Sequence, residues 1–358
     1  MDKLRVAVLG ATGLVGQRFL QILHNHPFFQ LDVITASEKS AYRKYGEVVK
    51  WLIEYELPRD LAEMEVLPMD IDKIPKVDLV FSALPSDVAS KIEPELAKRG
   101  FIIISNSSNL RLEPDIPLVV PEVNLEHLEL VKIQRRRRDW RGLIIKNPNC
   151  TTIILTLSLK PLLDNFGIKR IFVTTMQAIS GAGIGSDAVL GMQIVDNIIP
   201  YIKGEEEKVE NESRKILGTL SNGEVKWRDF EIIATTNRVP VLDGHLESVY
   251  VELEREVTLN DVIDVFRNYE SSISRLNLPT APERPIIYRG EIDRPQPRLD
   301  RMCSKGMSVV VGRVKLPSEK SRIVRYLVLG HNTIRGAAGN TVLIGEVMYR
   351  MFPEILTL

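Results

Sequence analysis

The sequence is short of cysteine, with two in 358 residues, too few for a disulfide scaffold or a structural zinc cluster. Both fit a reducing, cytoplasmic compartment, and one internal disulfide stays compatible with them. Excess charge of either sign is also lacking: 47 Lys and Arg balance 47 Asp and Glu. A nucleic-acid partner is therefore not expected, because such a domain is normally basic. No apolar run approaches the ~18 residues of a membrane helix, so no membrane partner is expected either. Neither H-E-x-x-H nor C-x-x-C occurs, which argues against a zinc-activated site, and no metal is expected. Internal repeats, low-complexity tracts and disordered tails are missing too. Lys3 and Arg5 before the apolar run Val6–Gly16 have the outline of a signal peptide, but three spaced glycines followed by Gln17 and Arg18 fit a phosphate loop better.

What is present is an ordinary globular composition, 44% hydrophobic and 26% charged, long enough for about two domains. The first half alternates short β-rich runs with helical ones. Leu4–Leu9, Leu31–Ala36, Val77–Leu84, Phe101–Ser105 and Leu143–Lys146 read as strands. Leu14–Leu23, the stretch from Pro85 through Lys98, and Ile153–Leu163 read as helices. Such alternation implies a parallel sheet covered on both faces. Beyond Cys150 the runs lengthen and alternate with period two. Arg170–Ala178 and Ser248–Glu254 are expected to form an antiparallel sheet with one solvated face. Met307–Lys315 and Ile323–Leu329 read as a strand pair joined by Pro317–Ser321, and Gly339–Phe352 as a helix. The charge run Arg135–Arg138 reads as a solvated helix end or loop.

The first strand runs into Gly10-Ala11-Thr12-Gly13-Leu14-Val15-Gly16, which opens a helix. This is a variant dinucleotide fingerprint with the second glycine one place late. Glycine allows a tight turn and close backbone approach to a pyrophosphate on the positive end of the helix. Gly10, Thr12, Gly13, Leu14 and Val15 are the expected contacts. After the second strand come Ser37-Glu38-Lys39-Ser40 and then Arg43 and Lys44. The hydroxyls of Ser37 and Ser40 and the cation of Lys39 suit a ribose 2′-phosphate, so NADP is favoured; Glu38 is the one acid there that would suit NAD.

Asn147-Pro148-Asn149-Cys150-Thr151-Thr152 lies between a strand and a helix. Cys150 is thereby expected at a helix N-terminus, where backbone N–H groups and the dipole lower a thiol pKa. Cys303 has no comparable context and is read as non-catalytic. Among the five histidines, His245 follows Asp243-Gly244 and opens a strand, so a rigid element aims it. His24 and His26 fall at the end of the first helix, His127 in a polar helix, and His331 before a Gly-rich loop within reach of a ligand. A thiolate, a base and a nicotinamide together imply one chemistry. The thiolate adds to an aldehyde, hydride leaves, and a second nucleophile cleaves the thioester.

These motifs resemble the aspartate-β-semialdehyde dehydrogenase family, in its archaeal and fungal branch. The resemblance spans the chain. Besides the glycine loop and the Cys150 motif it rests on Ser105-Asn106-Ser107-Ser108-Asn109-Leu110-Arg111, Gln177-Ala178-Ile179-Ser180-Gly181-Ala182-Gly183, Arg238 through His245, Asp293-Arg294-Pro295-Gln296-Pro297-Arg298 and Gly336-Ala337-Ala338-Gly339-Asn340. It implies phosphorylating, NADP-dependent oxidation of L-aspartate 4-semialdehyde, run in cells toward the semialdehyde that leads to lysine, threonine, methionine and isoleucine. It implies Cys150 as nucleophile and His245 as general acid/base. Asn149 would orient the reacting group, Gln177 hold substrate near the thiol and Arg238 clamp the α-carboxylate. Glu205, with Glu206 and Glu207 as neighbouring choices, would take the substrate amine. Lys208 and Arg111 would bind inorganic phosphate. Ser82 and Asn340 complete the implied cofactor contacts, with the Gly336–Asn340 loop against the nicotinamide side. The implied fold is α/β: a Rossmann domain, residues 1–149, completed by a C-terminal helix within 331–358, plus an α+β catalytic and dimerisation domain with a mixed sheet, 150–330. The implied assembly is a homodimer or homotetramer. The rival readings are a malonyl-CoA or succinyl-CoA reductase on the same scaffold, N-acetylglutamyl-phosphate reductase, and a catalytically dead NADP(H) sensor.

Overall fold

The computed structural model describes residues 3–184 and 191–356. Fourteen strands lie in it: β1 Leu4–Leu9, β2 Phe29–Ala36, β3 Val66–Pro68, β4 Leu79–Ser82, β5 Ile102–Ser105, β6 Leu143–Lys146, β7 Ile168–Gln177, β8 Thr219–Ser221, β9 Glu224–Lys226, β10 Glu231–Arg238, β11 His245–Thr258, β12 Ile286–Arg289, β13 Val309–Lys315 and β14 Lys320–Gly330.

The first sheet has order β3-β2-β1-β4-β5-β6 and is parallel throughout. This is the doubly wound dinucleotide-binding order, whose ligand crevice opens beyond the carboxyl ends of the strands. Alternation within each strand supplies two cores. Val6, Val8, Leu79, Phe81, Ile102 and Ile104 face one cluster, joined by Phe19 and Leu20 of helix Leu14–Leu23 and Val342, Leu343 and Val347 of helix Gly339–Met351. Ala7, Leu9, Val80, Ile103 and Ile144 face the other, with Ala89 and Leu96 of helix Ser86–Lys98. A helix more than 300 residues downstream of β1 thus packs on the first sheet.

The second sheet has order β10-β7-β11-β14-β13-β12. The expected antiparallel pairing of β7 with β11 and of β13 with β14 is there. The sheet is nonetheless mixed, because β10 runs parallel to β7 and β12 parallel to β13. One face packs on helix Cys150–Phe166 through Ile153, Ile154, Leu157, Val173, Val249, Val251 and Val328. The other leaves Phe172, Ile233, Tyr250 and Ile323 exposed. That helix begins three residues earlier than its apolar periodicity suggests, because Cys150-Thr151-Thr152 is its polar first turn.

Two expectations are corrected. Gly336–Asn340 is not a loop: residues 334–338 form a wide helical turn that runs into helix Gly339–Met351. The arginine run is a helix end, Leu130–Arg138, but only partly solvated. Arg138 is held by Asp115 and Glu113, and Arg135 donates to the Ile355 carbonyl.

Candidate active site

The register of the second sheet builds the site. Arg238 ends β10 and pairs with Gln177, which ends β7. His245 starts β11 beside them. These three buried polar residues share the sheet edge that meets the N-terminus of helix Cys150–Phe166. Asn149 caps that helix: its Oδ1 accepts from the Thr152 N–H at 3.1 Å. Cys150 is therefore the first helical residue, with its Sγ 3.3 Å from His245 Nε2.

The His245 ring is fixed from its other side. The Ala178 N–H donates to Nδ1 at 3.0 Å. A backbone N–H only donates, so Nδ1 carries the lone pair and the ring proton sits on Nε2, aimed at Cys150. The carbonyl of the same residue accepts from Arg238 Nη1 at 2.8 Å. The backbone of one residue, Ala178, thus sets both His245 and Arg238. Gly181 lies over both: a Cβ there would stand 2.6 Å from Arg238 Nη1 and 3.1 Å from His245 Cε1.

Burial holds His245 neutral, well below the ordinary imidazole range, and the Arg238 charge adds to this. The expected lowering of the Cys150 thiol is not found. Burial, reinforced by the Glu205 carboxylate, pushes it up to about 12. Arg238, the Thr151 N–H and Arg111 pull the other way without prevailing. Desolvation of a thiolate outweighs the helix terminus here.

Helix Glu205–Ile216, not apparent from sequence periodicity, supplies the opposite wall. Glu205 accepts from Asn149 Nδ2 at 2.9 Å and stands 3.5 Å from Lys208 Nζ. Arg111 donates from Nη1 to Glu212 at 2.9 Å and from Nη2 to the Asn106 carbonyl at 2.6 Å. Its Nε is buried with no hydrogen-bond partner among the described residues. Gln177 is buried with its amide on Thr175 Oγ1 at 3.3 Å. Of the substrate-side residues expected from sequence, Asn149, Glu205, Lys208 and Arg111 are joined through helix Glu205–Ile216, Arg238 is joined to His245 through Ala178, and Gln177 stands apart on Thr175. One contributor was missed, Glu212, seven residues after Glu205 on the same helix; Gly181 and Gly336 were named within their motifs without a part at the site. At Gly336 a Cβ would come within 2.6 Å of Cys150 Cβ.

The other histidines take structural places. His127 is buried against Asn124 and the Gly218 carbonyl and is pushed down to about 4 by desolvation. His26 pairs with buried Glu346, and His24 with Asp60. His331 is buried, held at about 4 by desolvation. Cys150 and Cys303 are both free thiols.

The glycine loop lies at the carboxyl end of β1. Gly10 has φ +78°, and a Cβ on it would meet the Ala83 carbonyl at 2.9 Å. On Gly16 a Cβ would stand 2.2 Å from the Gly10 carbonyl, so that glycine lets the helix close on the loop. Gly13 differs: only the Gly10 carbonyl lies near, at 3.6 Å, and its face is open. The first-turn N–H groups of Leu14, Val15 and Gly16 have no intrahelical acceptor. Thr12 stands half-buried in the loop. Ser37 and Lys39 are exposed and Ser40 half-buried at the tip of β2, while Lys44 is occupied by Glu63. Asn340 donates to the Val119 carbonyl and to Asn147 Oδ1, leaving its own buried Oδ1 without a partner among the described residues. Open glycine, free amides and this unfilled acceptor fit a dinucleotide. Ser82 is turned elsewhere: its hydroxyl donates to Glu93, in a buried network with Ser105 and Lys146. Among the described residues no helix is long and apolar enough to cross a membrane.

Comparison with known proteins agrees with this geometry. The family model "Semialdehyde dehydrogenase, NAD binding domain" matches residues 5–131, and "Semialdehyde dehydrogenase, dimerisation domain" matches 159–335. The aspartate-semialdehyde dehydrogenase of Methanothermobacter thermautotrophicus is 49% identical, over 96% of this chain and 98% of its own length. The malonyl-CoA reductase (NADP) of Metallosphaera sedula is 38% identical, over 96% of both chains. The crystal structure of aspartate semialdehyde dehydrogenase with NADP from Candida albicans superposes with a TM-score of 0.88 at 38% identity, covering 98% of this chain and 99% of that one. Fold, site and full-length likeness together place this chain in the aspartate-semialdehyde dehydrogenase family.

Proposed function

We propose that this chain converts L-aspartate 4-semialdehyde, phosphate and NADP⁺ to 4-phospho-L-aspartate and NADPH, and runs the reverse reduction in cells. The observation that carries the reading is the 3.3 Å contact of Cys150 Sγ with His245 Nε2, set between Arg238 and Glu205.

Cys150 loses its thiol proton to solvent and adds to the aldehyde carbon as the thiolate. The Nε2–H of His245, oriented by the Ala178 amide, shares its proton with the resulting oxyanion through a hydrogen bond and keeps it as hydride departs and the carbonyl re-forms. Arg238 presents a planar fork for the substrate α-carboxylate, and the Glu205 carboxylate receives the α-ammonium. Gln177 and Asn149 fix the reacting group from either side. Arg111, with its unpartnered Nε, and Lys208 hold the phosphate that cleaves the thioester on Cys150. Gly10–Gly16 would hold NADP, with Ser37, Lys39 and Ser40 for its 2′-phosphate and Asn340 for its nicotinamide end, and the cofactor would supply the hydride acceptor.

Residues 1–149 form the NADP-binding domain, completed by 331–358, and 150–330 the catalytic and dimerisation domain. The dimerisation-domain match supports an oligomer, and the outward face of the second sheet supports a homodimer or a homotetramer built on it. Two free thiols suit a cytoplasmic enzyme. The test is NADPH formation from L-aspartate semialdehyde with and without phosphate. Phosphate-dependent turnover is expected; turnover with malonyl-CoA or succinyl-CoA and NADPH instead would replace this reading.

A further inference from the structure

Of the eight charged side chains on helix Glu205–Ile216, those at 205, 208, 212 and 215 are spaced to share one face. Glu205 and Lys208 belong to the site already described. Glu212 and Lys215 lie deeper, and both are almost fully buried. Lys215 Nζ donates to three carbonyls of one loop, those of Arg111 at 2.7 Å, Glu113 at 2.6 Å and Ile116 at 2.8 Å. It fixes the loop from which Arg111 reaches. Glu212 then divides its two oxygens. One accepts from Arg111 Nη1 at 2.9 Å, and the other from the Asn149 N–H at 2.6 Å. Asn149 is the cap immediately before Cys150.

A single buried carboxylate therefore joins the arginine assigned to phosphate and the backbone that holds the nucleophile. A buried ion pair is a poor source of net stability, since desolvation offsets most of its Coulomb energy. Fixed geometry is what this one provides. We infer that Glu212 is a positioning residue for the phosphate-transfer half-reaction, setting the separation between phosphate on Arg111 and the acyl group on Cys150. The inference rests on the reading above that Arg111 holds phosphate. In that step a phosphate oxygen bonds to the thioester carbon, the C–S bond breaks with its electron pair going to sulfur, and the phosphate proton ends on the departing thiol. Attack of this kind is sensitive to about 1 Å of misplacement.

The test is Glu212→Gln. Glutamine fills the same space but has one acceptor oxygen, so it serves Arg111 or the Asn149 N–H and never both. Two steps are read separately: the NADPH burst without phosphate, and steady-state kcat/KM for phosphate. The expected result is a loss of about tenfold to hundredfold in kcat/KM for phosphate, the worth of one hydrogen bond to a charged group, with a burst rate within about threefold of wild type. In an Arg111→Ala background the same substitution is expected to add nothing further. Unchanged phosphate kinetics, equal loss in both steps, or full additivity with Arg111→Ala would overturn the inference. Thermal unfolding of each variant shows that the fold is retained. Glu212→Asp, which keeps the charge but shortens the reach, replaces the glutamine variant if that one does not fold, and must show the same split. Wild-type turnover independent of phosphate would instead remove the underlying reading of Arg111.

Discussion

Gly336→Ala is a substitution of one methyl group with a consequence that follows from three distances. Gly336 lies in the helical turn 334–338 and lacks a positive φ, so alanine meets no backbone strain there. Its Cβ would stand 2.6 Å from Cys150 Cβ, 3.0 Å from Cys150 Cα and 3.3 Å from the Cys150 carbonyl. Carbon atoms rest about 3.5–4.0 Å apart, so the two segments must separate by roughly 1 Å. The turn is the less able to move. Arg335 makes a buried two-fold bond to Glu122, each arm 2.6 Å, and Gly336 N–H donates to the His331 carbonyl at 3.0 Å. Cys150 is the part that shifts, out of its 3.3 Å contact with His245. Overpacking of this kind costs about 1–3 kcal/mol of stability. A misplacement near 1 Å costs on the order of 10²-fold in rate. The assay is kcat for NADPH formation, with calorimetry to show that the enzyme stays folded. Gly191→Ala, where a Cβ meets nothing within 4 Å among the described residues, is the control and is expected to match wild type. A Gly336→Ala enzyme with kcat within about twofold of wild type would refute the claim that this turn holds the nucleophile in place.

Arg238→Lys keeps the charge but loses the planar fork and is expected to lower kcat/KM for the semialdehyde roughly tenfold to hundredfold, checked by steady-state kinetics. The Cys150 thiol is raised by burial and by Glu205, and the thiolate is the species that alkylates. Iodoacetamide modification of the ligand-free enzyme is therefore expected to accelerate continuously from pH 7 to pH 9; a plateau below pH 8 would contradict the raised thiol. His245 stays neutral over the same range, so no acid limb from it is expected in that profile. Phe172 is 43% exposed on the outward face of the second sheet. Phe172→Glu is expected to dissociate the proposed oligomer in light-scattering measurements, because it would bury an unpaired charge if subunits join on that face; an unchanged mass would remove that face as the interface.

Much of the first sheet was legible because its strands are short apolar runs fenced by glycine and proline, with β1, helix Leu14–Leu23 and β6 falling on their expected bounds. Long-range pairing was less so. That β10 lies parallel to β7 depends on a crossover through helix Glu205–Ile216, whose charged sequence hides its buried face. Cys150 and His245 were readable as candidates from capping and turn chemistry. Their mutual contact was not, since 95 residues separate them. The electrostatics were misread: a helix N-terminus suggests a low thiol pKa, and only the packing reveals the desolvation that reverses it. Glu212 was missed because its role is defined by two partners from distant segments, Arg111 and Asn149.

The account turns on an acyl group held by Cys150 and released by phosphate. The most direct measurement mixes the enzyme with L-aspartate semialdehyde and NADP⁺ without phosphate, and follows NADPH absorbance together with intact-protein mass spectrometry. The account predicts a burst of one NADPH per active site, an acyl adduct mapped to Cys150, and loss of that adduct when phosphate is added. Continuous turnover without phosphate, or an adduct that survives Cys150→Ala, would contradict it.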